Sequence, residues 1–548
     1  MMNKGWTLII PSAKIVPEEL QNLGKLPGVI YPINQKIVFD YQYEQYKNIC
    51  NEIKIICYEK AGKIHRRLEK YKNKNVILED LPLLEDLGHS IYYGIKNIDN
   101  PVIINFADTI VLDDISKIDR DGFFYAEDYM SDTWTFFEEE KGNIVKIYDK
   151  IPEYSEVQKK LFVGVFKISD PEYFKMCLEE AFSSTNRTES TFFYAIRLYN
   201  KKYVFDIQKT DNWFDIGHVD KYYNSNLEVK AREFNHITID RNRGILKKSS
   251  DDKEKFIGEI KWYLKLPSDI EYVRPRIFDY STSYVNPFVS MEYYAYHTVH
   301  ELFLYGDLNY HQWVDIFKRI AFVCTDFKRY TIQDTAIKEA LEDIYLTKTL
   351  QRFEKMKSDE RFCAFFNQSI MVNGKKYKSL SDISEILKKV VPEMLYDVEY
   401  FNIIHGDLCF SNIMVDSNFS FIKVIDPRGK FGKYDIYGDP RYELAKLFHS
   451  VDGKYDFIIK DLFNINYDLH NAEIKYQIID RKRDYDLYKV FTKVFKDEIG
   501  EDLKKIELIE SLLFLSMIPL HGENINHQLA MLGTGIEILN RVTEIEEN

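Results

Sequence analysis

The sequence has 548 residues but only six cysteines, and no two of them stand in a CxxC or Cys/His ligand spacing. This excludes the usual zinc-ligand patterns and predicts buried or free thiols in a reducing compartment, with the cytoplasm as the expected location. Positive charge is also scarce relative to negative charge, and the formal net charge is −13. We therefore expect no nucleic-acid or anionic-membrane partner, because either would require a basic face. The cysteines are Cys50, Cys57, Cys177, Cys324, Cys363 and Cys409.

The sequence also lacks long apolar runs, low-complexity tracts and internal repeats. The longest apolar run, residues 512–520, is about half of the ~20 residues that a membrane-spanning helix needs, and it is typical of a core helix. The first residues lead into a strand pattern rather than a signal peptide. Apolar and aromatic side chains are abundant, at 45% and 15% of the chain. This composition predicts a packed globular protein, and the length predicts two or three domains.

The most informative segment is IHGDLCFSNI at residues 404–413, which is followed by a strand pattern that ends in Asp426. Phosphoryl transfer requires an oriented carboxylate, oxygen ligands for a hard cation, and a cationic side chain on the phosphates. Asp407 is the candidate base for a substrate hydroxyl, and Asn412 and Asp426 are candidate ligands of Mg²⁺ or Mn²⁺. The alternative is that residues 405–407 form an ordinary turn and that Asp426 only marks the end of a strand. Four fixed residues at set spacing arise by chance only on the order of a few times per thousand chains of this length.

The pattern H-G-D-x-x-x-x-N followed by I-D resembles the aminoglycoside phosphotransferase and choline kinase family of small-molecule kinases. The resemblance implies an α+β, bilobal, protein-kinase-like fold for the C-terminal half, with Asp407 as the base. It also implies that His405 shapes the loop rather than transferring protons. Residues 438–447 are similar to the family's helix-starting segment, in which Asp439 would support the catalytic loop. The chain departs from many relatives at Pro427-Arg428, where they carry an aromatic and an acidic residue.

A kinase also needs a lysine on the nucleotide phosphates, and the segment upstream of the loop offers one. Residues 234–249 have the pattern of a β-hairpin, and residues 252–266 that of a helix. A strand lysine paired with a helix glutamate would be oriented toward the phosphates, and we favour Lys247 with Glu259. Lys248 is the alternative, since only the facing of the strand decides between them. The alternative for Glu259 is that it lies on a solvent-exposed helix face and has no role in the site.

Residues 289–294 are predicted to end a strand, and in the resembled family this is the hinge that binds the nucleobase. Glu292 and Tyr293 are the candidate nucleotide-binding residues there. The predicted kinase lobes are residues 228–295 for the small lobe and residues 296–548 for the helix-rich large lobe, which carries the catalytic loop.

The N-terminal residues 1–227 alternate between strand and helix patterns, with buried strands predicted over residues 6–10, 53–57 and 101–109. Four segments in order resemble those of sugar-phosphate nucleotidyltransferases, which implies a Rossmann-like α/β domain of the GT-A type. These segments are residues 26–36, 104–109, 162–166 and 213–218.

By this resemblance Asp108 and Asp215 would hold the metal that bridges the nucleotide and the sugar phosphate. The relatives place a glycine-rich loop after the first strand to bind the triphosphate. This chain has residues 11–19 there without those glycines, so the backbone N–H groups cannot form the usual nest. Three lysines are candidate replacements in phosphate binding: Lys14, Lys25 and Lys150.

These patterns together predict a bifunctional enzyme. One half would phosphorylate a small-molecule hydroxyl on a sugar, alditol or choline-like compound. The other would couple the phosphorylated product to a nucleotide, as in precursor synthesis for bacterial capsule or surface polysaccharides. The alternative is an aminoglycoside-type kinase whose N-terminal domain is inactive and serves binding or regulation. The expected small-molecule partners are the acceptor and ATP or GTP, with CTP as a further candidate. The acceptor, the base preference and the oligomeric state stay open.

Overall fold

In the computed structural model, the structure describes residues 5–33, 36–151, 155–185, 187–217, 235–240, 242–480 and 483–547. The chain divides into two compact units. The N-terminal unit is Met1–Val229 with Tyr305–Asp307, and the C-terminal unit is Lys230–Leu304 with Leu308–Asn548. The predicted boundary between residues 227 and 228 lies within residues 218–234, which are outside the described residues.

The N-terminal unit is an α/β fold, and nine of its strands form one large sheet. Its strands are β1 (Trp6–Ser12), β2 (Pro32–Ile33), β3 (Lys36–Ile37), β4 (Cys50–Cys57), β5 (Val76–Asp80), β6 (Val102–Asn105), β7 (Thr109–Val111), β8 (Gly122–Asp128), β9 (Thr135–Glu140), β10 (Asn143–Asp149), β11 (Lys159–Ile168), β12 (Asp206–Lys209) and β13 (Trp213–Asp215). Its helices are α1 (Val38–Tyr46), α2 (Ala61–Arg67), α3 (Leu87–Ile95), α4 (Pro171–Ser183) and α5 (Thr191–Asn200).

Four neighbouring strands of this sheet, in the order β6-β1-β4-β5, run parallel. The centre of β1 is apolar, and Leu8, Ile9 and Ile10 are fully buried. Such continuous apolar runs are typical of parallel strands, because helices cover both faces of the sheet. β11 continues the sheet antiparallel to β6. The carboxyl ends of the parallel strands meet at one edge, where ligands bind in α/β sheets of this kind.

One predicted strand is divided in the structure. Residues 101–109 form β6 and β7, with a turn between them closed by the Thr109 N–H, which donates to the Phe106 carbonyl at 3.2 Å. Asp108 therefore lies in this turn rather than at the end of a strand. Asp108 thus lies just beyond the carboxyl end of β6, at that edge of the sheet.

The strands of the C-terminal unit form several small sheets, and the first four of them make an antiparallel sheet in the order β14-β15-β17-β16. Its strands are β14 (Asn235–Asp240), β15 (Ile245–Ser250), β16 (Ile277–Ser281), β17 (Phe288–Glu292), β18 (His297–Thr298), β19 (Thr331–Ile332), β20 (Ile370–Val372), β21 (Lys375–Tyr377), β22 (Phe401–Ile403), β23 (Ile413–Val415), β24 (Ile422–Val424), β25 (Tyr437–Gly438), β26 (Phe463–Asp468) and β27 (Glu473–Ile478). The hairpin predicted over residues 234–249 is confirmed as β14 and β15, although residues 234 and 241 are outside the described residues.

The remainder of this unit is rich in helices. They are α6 (Lys253–Lys265), α7 (Val299–Leu304), α8 (Tyr310–Lys328), α9 (Ile337–Leu341), α10 (Lys348–Lys357), α11 (Cys363–Asn367), α12 (Leu380–Leu395), α13 (Pro440–Val451), α14 (Tyr455–Ile458), α15 (Leu487–Val494), α16 (Lys496–Ile499), α17 (Leu503–Met517) and α18 (Ile525–Thr543). A π-helical turn, Glu342–Thr347, joins α9 to α10. The predicted helix over residues 252–266 is α6, and the Asp252 side chain caps it by accepting from the Lys255 N–H.

The predicted core helix is present in part: residues 512–516 are buried in α17, whereas residues 518–520 lie beyond the helix in a 3-10 turn and Leu520 is exposed. Among the described residues, no helix combines the length and the apolar character that a bilayer crossing requires. All six cysteines are free thiols, and Cys363 is the exposed one.

Candidate functional sites

The predicted catalytic loop lies between β22 and β23, and it brings Asp407 and Asn412 into direct contact. The Asn412 side-chain amide donates to the Asp407 carboxylate at 3.1 Å and to the Asp407 backbone carbonyl at 2.9 Å. The Ile425 N–H in turn donates to the Asn412 carbonyl at 3.0 Å, which places Asp426 beside the loop. The hairpin of β23 and β24 thus brings the segment that carries Asp426 next to Asn412, which itself contacts Asp407.

Lys446 on α13 forms the ion pair that orients the Asp407 carboxylate, with Nζ at 2.8 Å from Oδ1. Burial raises the pKa of Asp407, but the charge and hydrogen bond of Lys446, together with the charges of His405 and Arg428, bring the pKa well below its usual range. The pKa of Lys446 is raised by the same pairing, against the effect of its own burial. Asp407 is therefore an anion whose direction is set by Lys446 and Asn412.

Glu443, one turn before Lys446, holds the backbone of the loop. Its two carboxylate oxygens accept from the His405 and Gly406 N–H groups, each at 2.8 Å. Burial raises the pKa of Glu443 to about 7. Neither Glu443 nor Lys446 is among the site residues predicted from the sequence. The signal was available, because Asp439, Glu443 and Lys446 follow a spacing of four and then three, which places them on one helix face.

The support predicted for the loop from Asp439 comes instead from Glu443. Asp439 is fully buried and caps α13 by accepting from the Arg441 N–H at 2.9 Å. Its carboxylate also binds the Arg441 guanidinium at 2.8 Å and accepts from the Tyr345 hydroxyl at 2.9 Å. Asp439 starts the helix, and Glu443 on the next turn reaches the loop, because a helix rises by ~5.4 Å per turn.

His405 is fully buried, and burial lowers its pKa to about 4. Its Nε2 lies 3.0 Å from the Ile425 carbonyl, and the Asp407 N–H lies 3.3 Å from its Nδ1. A neutral imidazole satisfies both contacts, with Nε2–H donating to the carbonyl and Nδ1 accepting from Asp407. This ring joins the catalytic loop to the segment that carries Asp426.

The lysine that pairs with Glu259 is Lys248, so the favoured choice of Lys247 was wrong. Lys248 Nζ lies 2.8 and 3.0 Å from the two Glu259 carboxylate oxygens and 2.7 Å from Asp426 Oδ1. Lys247 lies on the opposite face of β15, with its ammonium 4.2 Å from the centroid of the Phe288 ring. Successive residues of a strand point to opposite faces, and only the register against α6 decides which lysine faces inward.

Burial and charge set the protonation of this trio. Burial lowers the pKa of Lys248, but Asp426 and Glu259 raise it by more, so its pKa stays above the usual value. Glu259 is buried, and burial together with Asp426 raises its pKa to about 7, against the opposing charge of Lys248. A cationic Lys248 held by two acids is available to exchange one of them for a phosphate oxygen.

The backbone is strained at Asp426, which follows β24 and contacts Lys248. Asp426 has a φ of +56°, a conformation that costs on the order of 1 kcal/mol or more for a residue other than glycine. Gly429 has a φ of +63°, and a Cβ there would lie 2.2 Å from the Gly258 carbonyl on α6. The absence of a side chain allows this segment to pack directly against the helix that carries Glu259.

The donor set fits a hard divalent cation. The carboxylate of Asp426 is half exposed, and the amide of Asn412 presents an oxygen opposite the nitrogen that binds Asp407. Carboxylate and amide oxygens are the ligands that Mg²⁺ and Mn²⁺ prefer in proteins.

Glu292 ends β17 and Tyr293 follows it, and their backbone N–H groups donate to the residues that immediately precede β16 and β15. The Glu292 N–H donates to the Arg276 carbonyl, and the Tyr293 N–H donates to the Gly244 carbonyl, each at 2.8 Å. The Glu292 carboxylate accepts from the Tyr294 hydroxyl at 2.7 Å. Their part in nucleobase binding stays a prediction.

In the N-terminal unit, β7 and β13 pair and bring Asp108 and Asp215 together. The Ile216 N–H donates to the Asp108 carbonyl at 2.8 Å. A Cβ at Gly217 would lie 2.7 Å from Asp108 Oδ2 and 3.3 Å from Asp215 Oδ1, so these two oxygens are at most 6.0 Å apart, the sum of the two distances. Asp215 accepts from the Trp134 indole N–H at 2.9 Å and from the Gly217 N–H at 2.8 Å. Two carboxylates this close fit a shared divalent cation.

The three lysines predicted to bind phosphate in this unit are exposed. Lys14 follows β1 in a segment that pairs with residues near Gly28, through a bridge between Ile15 and Pro27. A Cβ at Gly28 would lie 3.3 Å from the Asp108 Cβ, so this segment borders the two carboxylates. The Lys25 carbonyl accepts from the Lys63 ammonium at 3.0 Å. Lys150 follows β10 with a φ of +54°.

No family model and no curated protein matches this chain. Among solved structures, nucleotidyltransferases match its N-terminal part. CTP:phosphocholine cytidylyltransferase from Streptococcus pneumoniae is 18% identical with a TM-score of 0.35, and the match covers 41% of this chain and all of that one. The inositol-1-phosphate CTP transferase from T. maritima is 14% identical with a TM-score of 0.32, over 42% of this chain and 98% of that one. With TM-scores below 0.5, we infer the functions of both units from their own residues.

Proposed function

We propose that the C-terminal unit is a kinase that transfers the γ-phosphoryl group of a nucleoside triphosphate to a small-molecule hydroxyl, such as that of a sugar, alditol or choline-like compound. The observation that carries this proposal is the assembly of Asp407, Asn412 and Asp426 with the buried cation Lys248. Kinase chemistry depends almost entirely on positioning and charge stabilisation, and the contacts that orient Asp407 and Lys248 support the proposal.

The reaction uses this chain's residues as follows. The acceptor hydroxyl donates to Asp407, whose direction is set by Lys446 and Asn412. Its oxygen attacks the γ-phosphorus, the bond to the β-phosphate oxygen breaks, and the nucleoside diphosphate leaves. The hydroxyl proton passes to Asp407 as the new bond forms, which suits a weakly basic carboxylate in a loose transition state. Lys248 exchanges its contact with Asp426 for phosphate oxygens. Asn412 and Asp426 would hold Mg²⁺ or Mn²⁺, which would supply charge neutralisation at the triphosphate.

For the N-terminal unit we propose nucleotidyl transfer onto the phosphorylated product of the kinase. An oxygen of that phosphate would attack the α-phosphorus of a nucleoside triphosphate, and pyrophosphate would leave. Asp108 and Asp215 would hold the divalent cation, which supplies charge neutralisation at the α-phosphate. This pairing of reactions fits the activation of a building block for a bacterial surface polysaccharide. ATP, GTP and CTP are the candidate nucleotides.

A second candidate keeps the kinase and gives the N-terminal unit a binding or regulatory role. It is favoured by residues 11–19, which lack the glycines that would cradle a triphosphate, and by the exposure of Lys14, Lys25 and Lys150. Without a nest of backbone N–H groups, the lysines alone would have to hold the triphosphate.

One experiment separates the two candidates. The full chain is incubated with each nucleoside triphosphate and a panel of phosphorylated sugars and alcohols, and pyrophosphate release is measured. Release that is lost in Asp215→Asn but retained in Asp407→Asn supports the nucleotidyltransferase. No release with any pair, in a chain that still phosphorylates an acceptor, supports the binding or regulatory role.

A further inference from the structure

Four cationic side chains, including the Lys446 that pairs with Asp407, lie near one another in the C-terminal unit. Two of them share one aromatic ring: the Lys446 ammonium and the Arg428 guanidinium lie 6.0 and 5.9 Å from the centroid of the Tyr442 ring. The Arg428 guanidinium also donates to the Tyr442 hydroxyl at 3.0 Å. A Cβ at Gly406 would lie 3.0 Å from the Arg428 Cβ, so this arginine packs against the residue that precedes Asp407.

The other two cations, Lys348 and Arg352, come from α10. They are four residues apart and so lie on one helix face. The preceding π-helical turn places Tyr345 beside this group, with its ring 6.3 Å from the Tyr442 ring. The Arg352 guanidinium donates to the Ser516 carbonyl on α17 at 3.1 Å, which fixes this face of α10 in the unit.

The charges in this cluster do not balance. Lys446 is paired with Asp407. Among the described residues, Lys348, Arg352 and Arg428 have no carboxylate within ion-pair distance. Burial and the like charges of Arg428, Lys446 and Arg352 lower the pKa of Lys348 to about 7, and Asp343 opposes this shift only weakly. Partly buried cations without counter-ions are unfavourable unless an anion completes the site.

We infer that the acceptor of the kinase unit is an anionic hydroxyl compound, whose phosphate or carboxylate group is bound by Lys348, Arg352 and Arg428 beside Asp407. The inference rests on the proposed kinase function and narrows it. Among the proposed acceptors, it selects against cationic ones, because Arg352 and Arg428, joined by Lys348 when it is protonated, would repel a quaternary ammonium or a polyamine. Tyr345 and Tyr442 would then line the wall along which the carbon chain of the acceptor lies.

The test compares matched acceptors with the full chain, Mg²⁺ and ATP or GTP, measuring acceptor-dependent nucleoside diphosphate formation. Glycerol is the neutral probe, glycerol 3-phosphate and glycerate are the phosphate and carboxylate probes, and choline is the cationic probe. We expect kcat/KM to be at least roughly 10-fold higher for one of the anions than for glycerol, since a charge-assisted hydrogen bond contributes about 1.5–3 kcal/mol. The two anions distinguish a phosphate site from a carboxylate site.

Two variants locate the effect in the cluster. Lys348→Met should raise the KM for the anionic acceptor by roughly 10- to 100-fold and leave the KM for the nucleotide within about twofold. Lys348→Arg should restore much of the affinity. Arg352→Gln should act in the same direction, and it covers the case in which Lys348→Met does not fold. Lys355→Met is the matched control, because Lys355 is exposed on the same helix.

The result that overturns the inference is turnover of glycerol or choline equal to or better than that of both anions. A rise in the nucleotide KM with an unchanged acceptor KM in Lys348→Met would also overturn it, since the cluster would then bind nucleotide phosphates. A chain that binds Mg²⁺ and nucleotide but neither binds nor phosphorylates an anion likewise contradicts it. Failure to bind nucleotide at all would instead overturn the kinase function, and the inference with it.

Discussion

The two acidic sites of this chain are held in different ways. In the C-terminal unit, Asp407 is bound by Lys446 and Asn412, and Glu443 and His405 fix the loop around it. In the N-terminal unit, Asp215 is bound by Trp134, but the lysines predicted to hold phosphate are exposed. In the first site several contacts orient the carboxylate, whereas in the second the two carboxylates lie close together and the three lysines are exposed. Preorganised charge is the larger contribution to catalysis.

The largest expected effect separates the two sites by removing one carboxylate from each. Asp407→Asn should lower the turnover of the kinase reaction by about 10²–10⁴-fold, because the acceptor hydroxyl loses its proton acceptor. Asp215→Asn should leave this turnover unchanged. Both are measured as nucleoside diphosphate formation with an accepted alcohol. Equal losses in the two variants would contradict the assignment of the kinase reaction to Asp407.

The buried His405 predicts a pH dependence of stability that belongs to the C-terminal unit. Its pKa of about 4 lies below the ordinary value of 6.5, so the unfolded chain binds more protons than the folded one between these two pH values. The stabilisation is therefore complete above pH ~6.5 and is lost as the pH falls toward ~4, by up to about 3 kcal/mol. Urea unfolding at several pH values, compared with His405→Gln, measures this. Parallel curves for the two proteins would contradict it.

The correction from Lys247 to Lys248 predicts a sharp difference between neighbouring residues. Lys248→Met should raise the KM for the nucleotide by roughly 10- to 100-fold, because a charge-assisted contact to phosphate is lost. Lys247→Met, its matched control on the other face of β15, should change the KM by less than about twofold. Initial rates measured against nucleotide concentration give both KM values. A stronger effect at Lys247 would contradict the assignment of Lys248 as the lysine that binds phosphate.

The smallest expected effect tests whether the N-terminal site is used. Trp134→Phe removes the indole N–H that donates to Asp215 and retains an aromatic ring. Nucleotidyl transfer should fall by roughly 10-fold, while the kinase reaction stays unchanged. Pyrophosphate release is the measurement. If pyrophosphate release does not change, the contact between Trp134 and Asp215 has no part in the reaction.

Much of the local structure could be predicted because short-range patterns determine it. The hairpin of β14 and β15, the helix α6 and the buried strands β1 and β4 follow from alternation, periodicity and turn residues. The motif spacing likewise selected Asp407, Asn412 and Asp426 as one set. Predictions failed where contacts are long-range: Lys446 lies 39 positions beyond Asp407 in the sequence, yet the two side chains form an ion pair.

The amino-acid order by itself determined which residue types were available for chemistry, and roughly where the chain alternates between strands and helices. The tertiary structure alone decided that Lys248 rather than Lys247 faces Glu259, and that Glu443 rather than Asp439 holds the catalytic loop. It also decided that Lys348 and Arg352 join Arg428 in one cluster. The physical reason is that propensity and periodicity act over a few residues, whereas facing, burial and charge pairing depend on which distant segments pack together.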